Sequence, residues 1–161
     1  MWDNYRCGAY NGRKKKNAVL YYAYSPCSPE EEQEHKEGIA ICKSELLGNE
    51  NINLVDCIID IIEEDVPIDE RAGFKKLIHI CNENDIDEIY TYMIETLAPK
   101  TKDFIYCCKI FEEKEIGIKF IETEFEITFY SCKEHFQFKI HYKIYLKKDI
   151  MLSPVFSLTF F

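Results

Sequence analysis

AVLYYAY, residues Ala18 to Tyr24, is an apolar run of β-prone side chains with no polar alternation, the pattern of a strand covered on both faces. Such cover comes from helices packed above and below a sheet, so the neighbouring sequence should supply helices. Directly downstream, Ser28-Pro29-Glu30-Glu31 has capping-box spacing with proline at the first helical position, and Gly48 follows Leu46-Leu47 as a stop. A helix over about residues 29 to 47 follows from these signals.

Leu54 to Ile62 (LVDCIIDII) reads as a second strand, and Glu63 to Ile68 as an acidic, proline-containing loop. Asp69 can cap the next helix. There Phe74, Leu77, Ile78 and Cys81 form one apolar stripe, and Asn82-Glu83-Asn84 ends it. Ile86 to Ile94 reads as a third strand. Pro99 and Thr101 introduce another helix, with Phe104, Ile105, Cys108 and Phe111 on one face, before Gly117 opens a strand from Ile118 to Ile121.

Strands alternating with helices imply an α/β fold: a mainly parallel sheet of four to five strands, near residues 18–24, 54–61, 86–93 and 118–121, with helices on both faces. Its buried set should include Val19, Leu20, Ile58, Ile59, Phe74, Leu77, Ile78, Ile89, Phe104, Cys108 and Ile118. Beyond Glu122, Phe125, Ile127 and Phe129 alternate with polar residues, as do Phe136, Phe138, Ile140, Tyr142, Ile144 and Leu146. Period two predicts antiparallel strands. The chain therefore divides into a basic tail (1–17), an α/β domain (18–122) and a β-rich extension (123–161).

With 161 residues, of which 47% are hydrophobic, the chain has the material for one packed core. No apolar run reaches 18 residues and MWDNYRCGAYNGRKKK lacks a secretory core, so a cytoplasmic protein with no membrane partner is expected. Eight scattered cysteines without C-x-x-C pairs read as reduced thiols. The spacing Cys132-x2-His135-x5-His141 could supply three zinc ligands, but it falls on strand-like sequence and no metal or cofactor is expected. Net charge is −9, and between Glu30 and Glu70 fourteen acidic residues face two lysines, a local −12 that repels phosphate. The run Arg13-Lys14-Lys15-Lys16 is the main basic feature; such runs are usually solvated, with DNA contact the functional alternative.

Residues 18 to 122 resemble the catalytic domain of resolvase/invertase-type serine recombinases. The matching stretches are Tyr22-Ala23-Tyr24-Ser25-Pro26, Gln33 in the first helix, Asp60 in the second strand, Arg71-Ala72-Gly73-Phe74, and Ile94-Glu95-Thr96-Leu97-Ala98-Pro99. The resemblance implies a resolvase-like fold. In the family a serine attacks a DNA phosphodiester while several arginines neutralise the phosphate. Here Pro26 stands at the serine position, Tyr24 at the first arginine, and Thr96 and Pro99 at two others; Arg71 matches, and Glu95 replaces an aspartate. The whole chain has three arginines, Arg6, Arg13 and Arg71.

Phosphoryl transfer depends on positive charge around the developing oxyanion, and one such arginine is worth about three or more powers of ten in rate. Loss of three leaves no useful rate. Ser25, Arg71 and Glu95 are the candidates at or beside the catalytic positions; Ser25 could act only as a displaced nucleophile, Ser28 is better used as a cap, and Arg71 could simply pair with Asp69 or Glu70. The resemblance also implies a long dimer helix and a DNA reader, for which residues 123–161 lack the periodicity.

Three functions compete. The first is an inactive recombinase-like domain, an accessory or interaction module or mobile-element remnant, whose partners would be a full-length serine recombinase or, weakly, DNA. The second is an active strand-exchange enzyme using a displaced serine. The third is small-molecule binding at the C-terminal edge of the sheet.

Overall fold

The computed structural model describes residues 14–25, 28–62, 66–122, 125–129, 137–141 and 155–159, with side chains described up to residue 122. Strands β1 (Lys16–Tyr24), β2 (Ile52–Ile61), β3 (Glu88–Thr91) and β4 (Gly117–Phe120) alternate with helices α1 (Pro29–Gly48), α2 (Ala72–Glu83), the single turn α3 (Ile94–Leu97) and α4 (Thr101–Glu113). They form a parallel sheet in the order β2-β1-β3-β4. Antiparallel β5 (Phe125–Phe129), β6 (Gln137–His141) and β7 (Val155–Thr159) extend the same sheet beyond β4. Cys132 and His135 of the zinc spacing lie outside the described residues.

β1 is held on both sides, by β2 and β3, and Ala18 to Ala23 are at most 2% exposed. Side chains alternate across a strand. Val19, Tyr21 and Ala23 accordingly pack against Phe74 and Leu77 of α2 and Cys107, Cys108 and Phe111 of α4. Ala18, Leu20 and Tyr22 face Cys42 and Leu46 of α1. The expected arrangement of helices on both faces is thus present, and α1 starts as its sequence implies: Ser28 accepts from the Glu31 amide while the Glu31 carboxylate accepts from Ser28 N.

Four expectations need correction. β2 is the edge of the sheet, so Ile59 is 37% exposed instead of buried, and Ile78 and Phe104 are only half-buried against the core. The third strand stops at Thr91 and does not run to Ile94, because Thr96 folds the chain back: its hydroxyl bonds both Met93 N and Met93 O, at 3.0 and 2.9 Å, and lies 2.8 Å from Thr91 Oγ1. Asp69 lies in a 3-10 turn (Ile68–Glu70) and does not cap α2. Instead Asp60 of β2 reaches across, its Oδ1 accepting from Gly73 N at 3.2 Å, so a helix end rich in unpaired N–H groups is satisfied by a neighbouring strand.

The basic run is partly consumed by the fold. Lys14 pairs with Asp85, while Lys16 and Lys119 pair with the buried carboxylate of Glu88, which also accepts from Tyr90 Oη at 2.8 Å. Burial would raise the Glu88 carboxyl, but the bonds from Lys16 and Tyr90 and the charge of Lys119 outweigh it and hold it below the ordinary value of 4.5. A depressed native pKa means stability that is complete above the unfolded value and is lost as pH falls through the native one. Unfolding free energy measured from about pH 6 to about pH 3 should therefore fall more steeply for the unmodified chain than for Glu88→Gln. Parallel profiles would remove Glu88 from the acid response.

The described cysteines, Cys42, Cys57, Cys81, Cys107 and Cys108, are free thiols. Burial pushes Cys42 and Cys108 up to about 12 and Cys81 up to about 11. Such thiols are poor nucleophiles and behave as small apolar groups.

Candidate functional site

Open α/β sheets present their ligand sites beyond the C-terminal ends of the parallel strands. Here the end of β1, the turn after β3 and the first half of α1 enclose a cleft of about 680 Å³, within the size range of small-ligand pockets. Tyr22 and Tyr24 enter it because alternate β1 residues point toward α1, and Tyr92 enters from the turn that Thr96 imposes.

The rings pack as a cluster. Tyr22 and Tyr92 stack at 6.2 Å with planes 22° apart, and Tyr24 stacks on His35 at 4.4 Å. His35 Nδ1 lies 3.1 Å from Tyr22 Oη. Gly38 of α1 allows this approach, since a methyl group there would meet Tyr22 Oη at 2.9 Å.

The charge of the cleft has one sign. Glu31, Glu34 and Glu37 of α1, Glu95 of α3 and Glu122 after β4 line it, and no lysine or arginine among the described residues does. Burial pushes the Tyr22 phenol up to about 12, with further raising from Cys42, Tyr92 and Glu122. Tyr92 is raised by burial and then by the Glu122 carboxylate. Both phenols stay neutral, and anions are disfavoured here.

Ser25 and Glu95 lie together in this cleft, both exposed, alongside Tyr24, Thr96 and Pro99. These are positions at or, for Ser25, beside those to which the family resemblance assigns catalysis; Pro26, at the serine position, lies outside the described residues. The Thr96 hydroxyl is occupied by Thr91 and Met93.

Arg71 is elsewhere, on the α2 and α4 side of the sheet. Its side chain is 4% exposed, donates to Val66 O at 3.2 Å and pairs with Asp103 at 3.0 Å. The expected partners Asp69 and Glu70 are replaced by Asp103, one helix away, because Arg71 points into the core and its neighbours point out.

Of the cleft's carboxylates only Glu95 was among the sequence candidates, and the grouping of its tyrosines was not foreseen. Glu31, Glu34, His35 and Gly38 do share one helical face by spacing, which could have flagged α1. Tyr92 and Glu122 carry no such signal, since they reach the cleft only through the sheet's strand order.

Among solved structures, the chain is similar to the C-terminal catalytic domain of ISC1926 TnpA, an IS607-like serine recombinase: 18% identity, 65% of this chain and 67% of that one covered, TM-score 0.53. It is also similar to the N-terminal catalytic domain of TP901-1 integrase, with 17% identity, 69% and 81% covered and a TM-score of 0.49. No family model and no curated protein matches the sequence. The fold is that of serine-recombinase catalytic domains.

Proposed function

We propose that residues 18–122 are a serine-recombinase-like domain that does not exchange DNA strands and serves as an accessory or interaction module for a true recombinase. The observation that carries this reading is the charge of the cleft: where the resemblance calls for arginines around a phosphate, five carboxylates stand and no described cation does. Phosphoryl transfer is driven by positioning and positive charge, one arginine being worth about three to five powers of ten. A ring of carboxylates opposes both the bound phosphodiester and the charge that develops on it. Arg71, the one matching arginine, is committed to Asp103 outside the cleft.

Incubating the full chain with duplex DNA carrying recombination sites is expected to give no covalent protein–DNA adduct, with or without Ser25→Ala. Duplex binding should be weak, with a dissociation constant above about a micromolar at physiological salt, as expected where net charge opposes the electrostatic term. Co-purification with a full-length serine recombinase tests the accessory role. A phosphoserine adduct that Ser25→Ala abolishes would replace this reading with the displaced-serine enzyme.

A further inference from the structure

We propose that the cleft binds an organic cation, an alkylammonium or guanidinium group, between its tyrosine rings and its glutamates. The inference rests on reading the cleft as a binding surface and not a phosphoryl-transfer site. Three independent features of the site agree on that ligand class.

The first is shape: a concave volume of about 680 Å³ has room for a long side chain or a linear amine. The second is the aromatic wall. Tyr24 and Tyr92, both half-buried, border one space in front of the buried Tyr22, and ring faces attract cations through their quadrupole, most strongly when both are partly desolvated. Anions gain nothing from such a wall. Gly38, in the middle of α1, supports the same geometry, because a methyl group there would lie 2.9 Å from Tyr22 Oη and displace that hydroxyl.

The third is the distribution of charge. Five carboxylates come from three separate elements, α1, α3 and the segment after β4, and surround the rings from different sides. They do not gather on one point: among the described residues no group of three acidic, histidine or cysteine side chains is placed to hold a metal ion. A dispersed ring of carboxylates around aromatic faces suits an extended cation with delocalised or spread charge better than a compact divalent ion. Two of the carboxylates are already oriented by the protein, Glu31 by Ser28 N and Glu37 by Gln33 Nε2, both at 3.0 Å. Positioning costs for the ligand fall accordingly.

The chemistry is shared by a lysine or arginine side chain on a partner protein and by a free polyamine. The test is a titration of the full chain with trilysine peptide, with spermidine and with inorganic phosphate at about 150 mM salt, following the tyrosine ring signals by NMR. Saturable shifts of Tyr24 and Tyr92 with the peptide or spermidine, and none with phosphate, are expected. Tighter peptide binding assigns the site to a basic protein segment; equal or tighter spermidine binding assigns it to a polyamine.

Tyr92→Leu keeps every carboxylate and should weaken binding about five-fold or more through the lost ring face. The exposed pair Glu34→Gln and Glu37→Gln, which leaves the core untouched, should weaken it further. No ring shifts with either cation, shifts with phosphate, or an affinity that both variants leave unchanged would each overturn the proposal. Failure here leaves the adduct result standing, and an adduct would be seen whether or not cations bind.

Discussion

Replacing Gly73 by alanine is expected to destabilise the chain by about 3–5 kcal/mol, combining overpacking with loss of a buried hydrogen-bonded carboxylate. A methyl group at this position would lie 2.4 Å from Asp60 Cγ and 2.5 Å from Asp60 Oδ1, closer than real atoms approach. Asp60 cannot retreat cheaply. It is 6% exposed, accepts from Gly73 N at 3.2 Å and from Tyr21 Oη at 2.6 Å, and so joins β2, β1 and the start of α2 through one side chain. Pushing it aside frees two donors in the core and removes the only described cap of α2.

Gly48 is the control, because a methyl group there meets nothing within 4 Å. Gly48→Ala should be neutral or gain up to about 1 kcal/mol, as alanine does in helices. Denaturant midpoints of the two variants and the parent decide the matter. If Gly73→Ala costs less than about 1 kcal/mol, the Asp60 contact does not hold α2 in place.

Arg71→Met and Asp103→Leu should each cost about 3–5 kcal/mol, because each strands the partner's charge inside the protein. The pair is 3.0 Å apart with both side chains at most 8% exposed. The double variant should recover most of the loss, since an apolar pair of similar volume often substitutes for a buried ion pair at little cost. Recovery is favoured further by Arg71 Nη1, which is buried and has no hydrogen-bond partner among the described residues, so the native pair is not fully satisfied by them. A thermodynamic cycle from urea unfolding gives the coupling directly. If the two losses simply add in the double variant, the guanidinium interacts with something other than Asp103 and its assignment as a core ion pair is wrong.

The two cases show what kind of information each level of structure holds. AVLYYAY marks an interior strand because an apolar run without alternation has no face to give to water, and the 0–2% exposure of Ala18 to Ala23 follows. Ser28-Pro29-Glu30-Glu31 marks a helix start because capping is a local exchange of hydrogen bonds over three residues, and it forms as written. Ile59 escaped the same logic. It adjoins Ile58 in the same apolar run, and the position of β2 at the edge of the sheet leaves its face uncovered.

The alternation of helices and strands, the caps and the apolar stripes are local properties, so the α/β class, the two-sided cover of β1 and the net acidity were determined by the sequence alone. The scarcity of arginine, three in the whole chain, was legible there too, since it needs only a count. Partners distant in the chain were not. Asp60 capping α2, Arg71 meeting Asp103 across 32 positions, and Tyr22, Tyr92 and Glu122 converging on α1 all depend on strand order and on which face each side chain takes. Long-range pairing is selected by the packing of the whole core, whose free energy no short window of sequence contains. Only the tertiary structure therefore decided that the cleft is aromatic and negative and that its one matching arginine lies elsewhere.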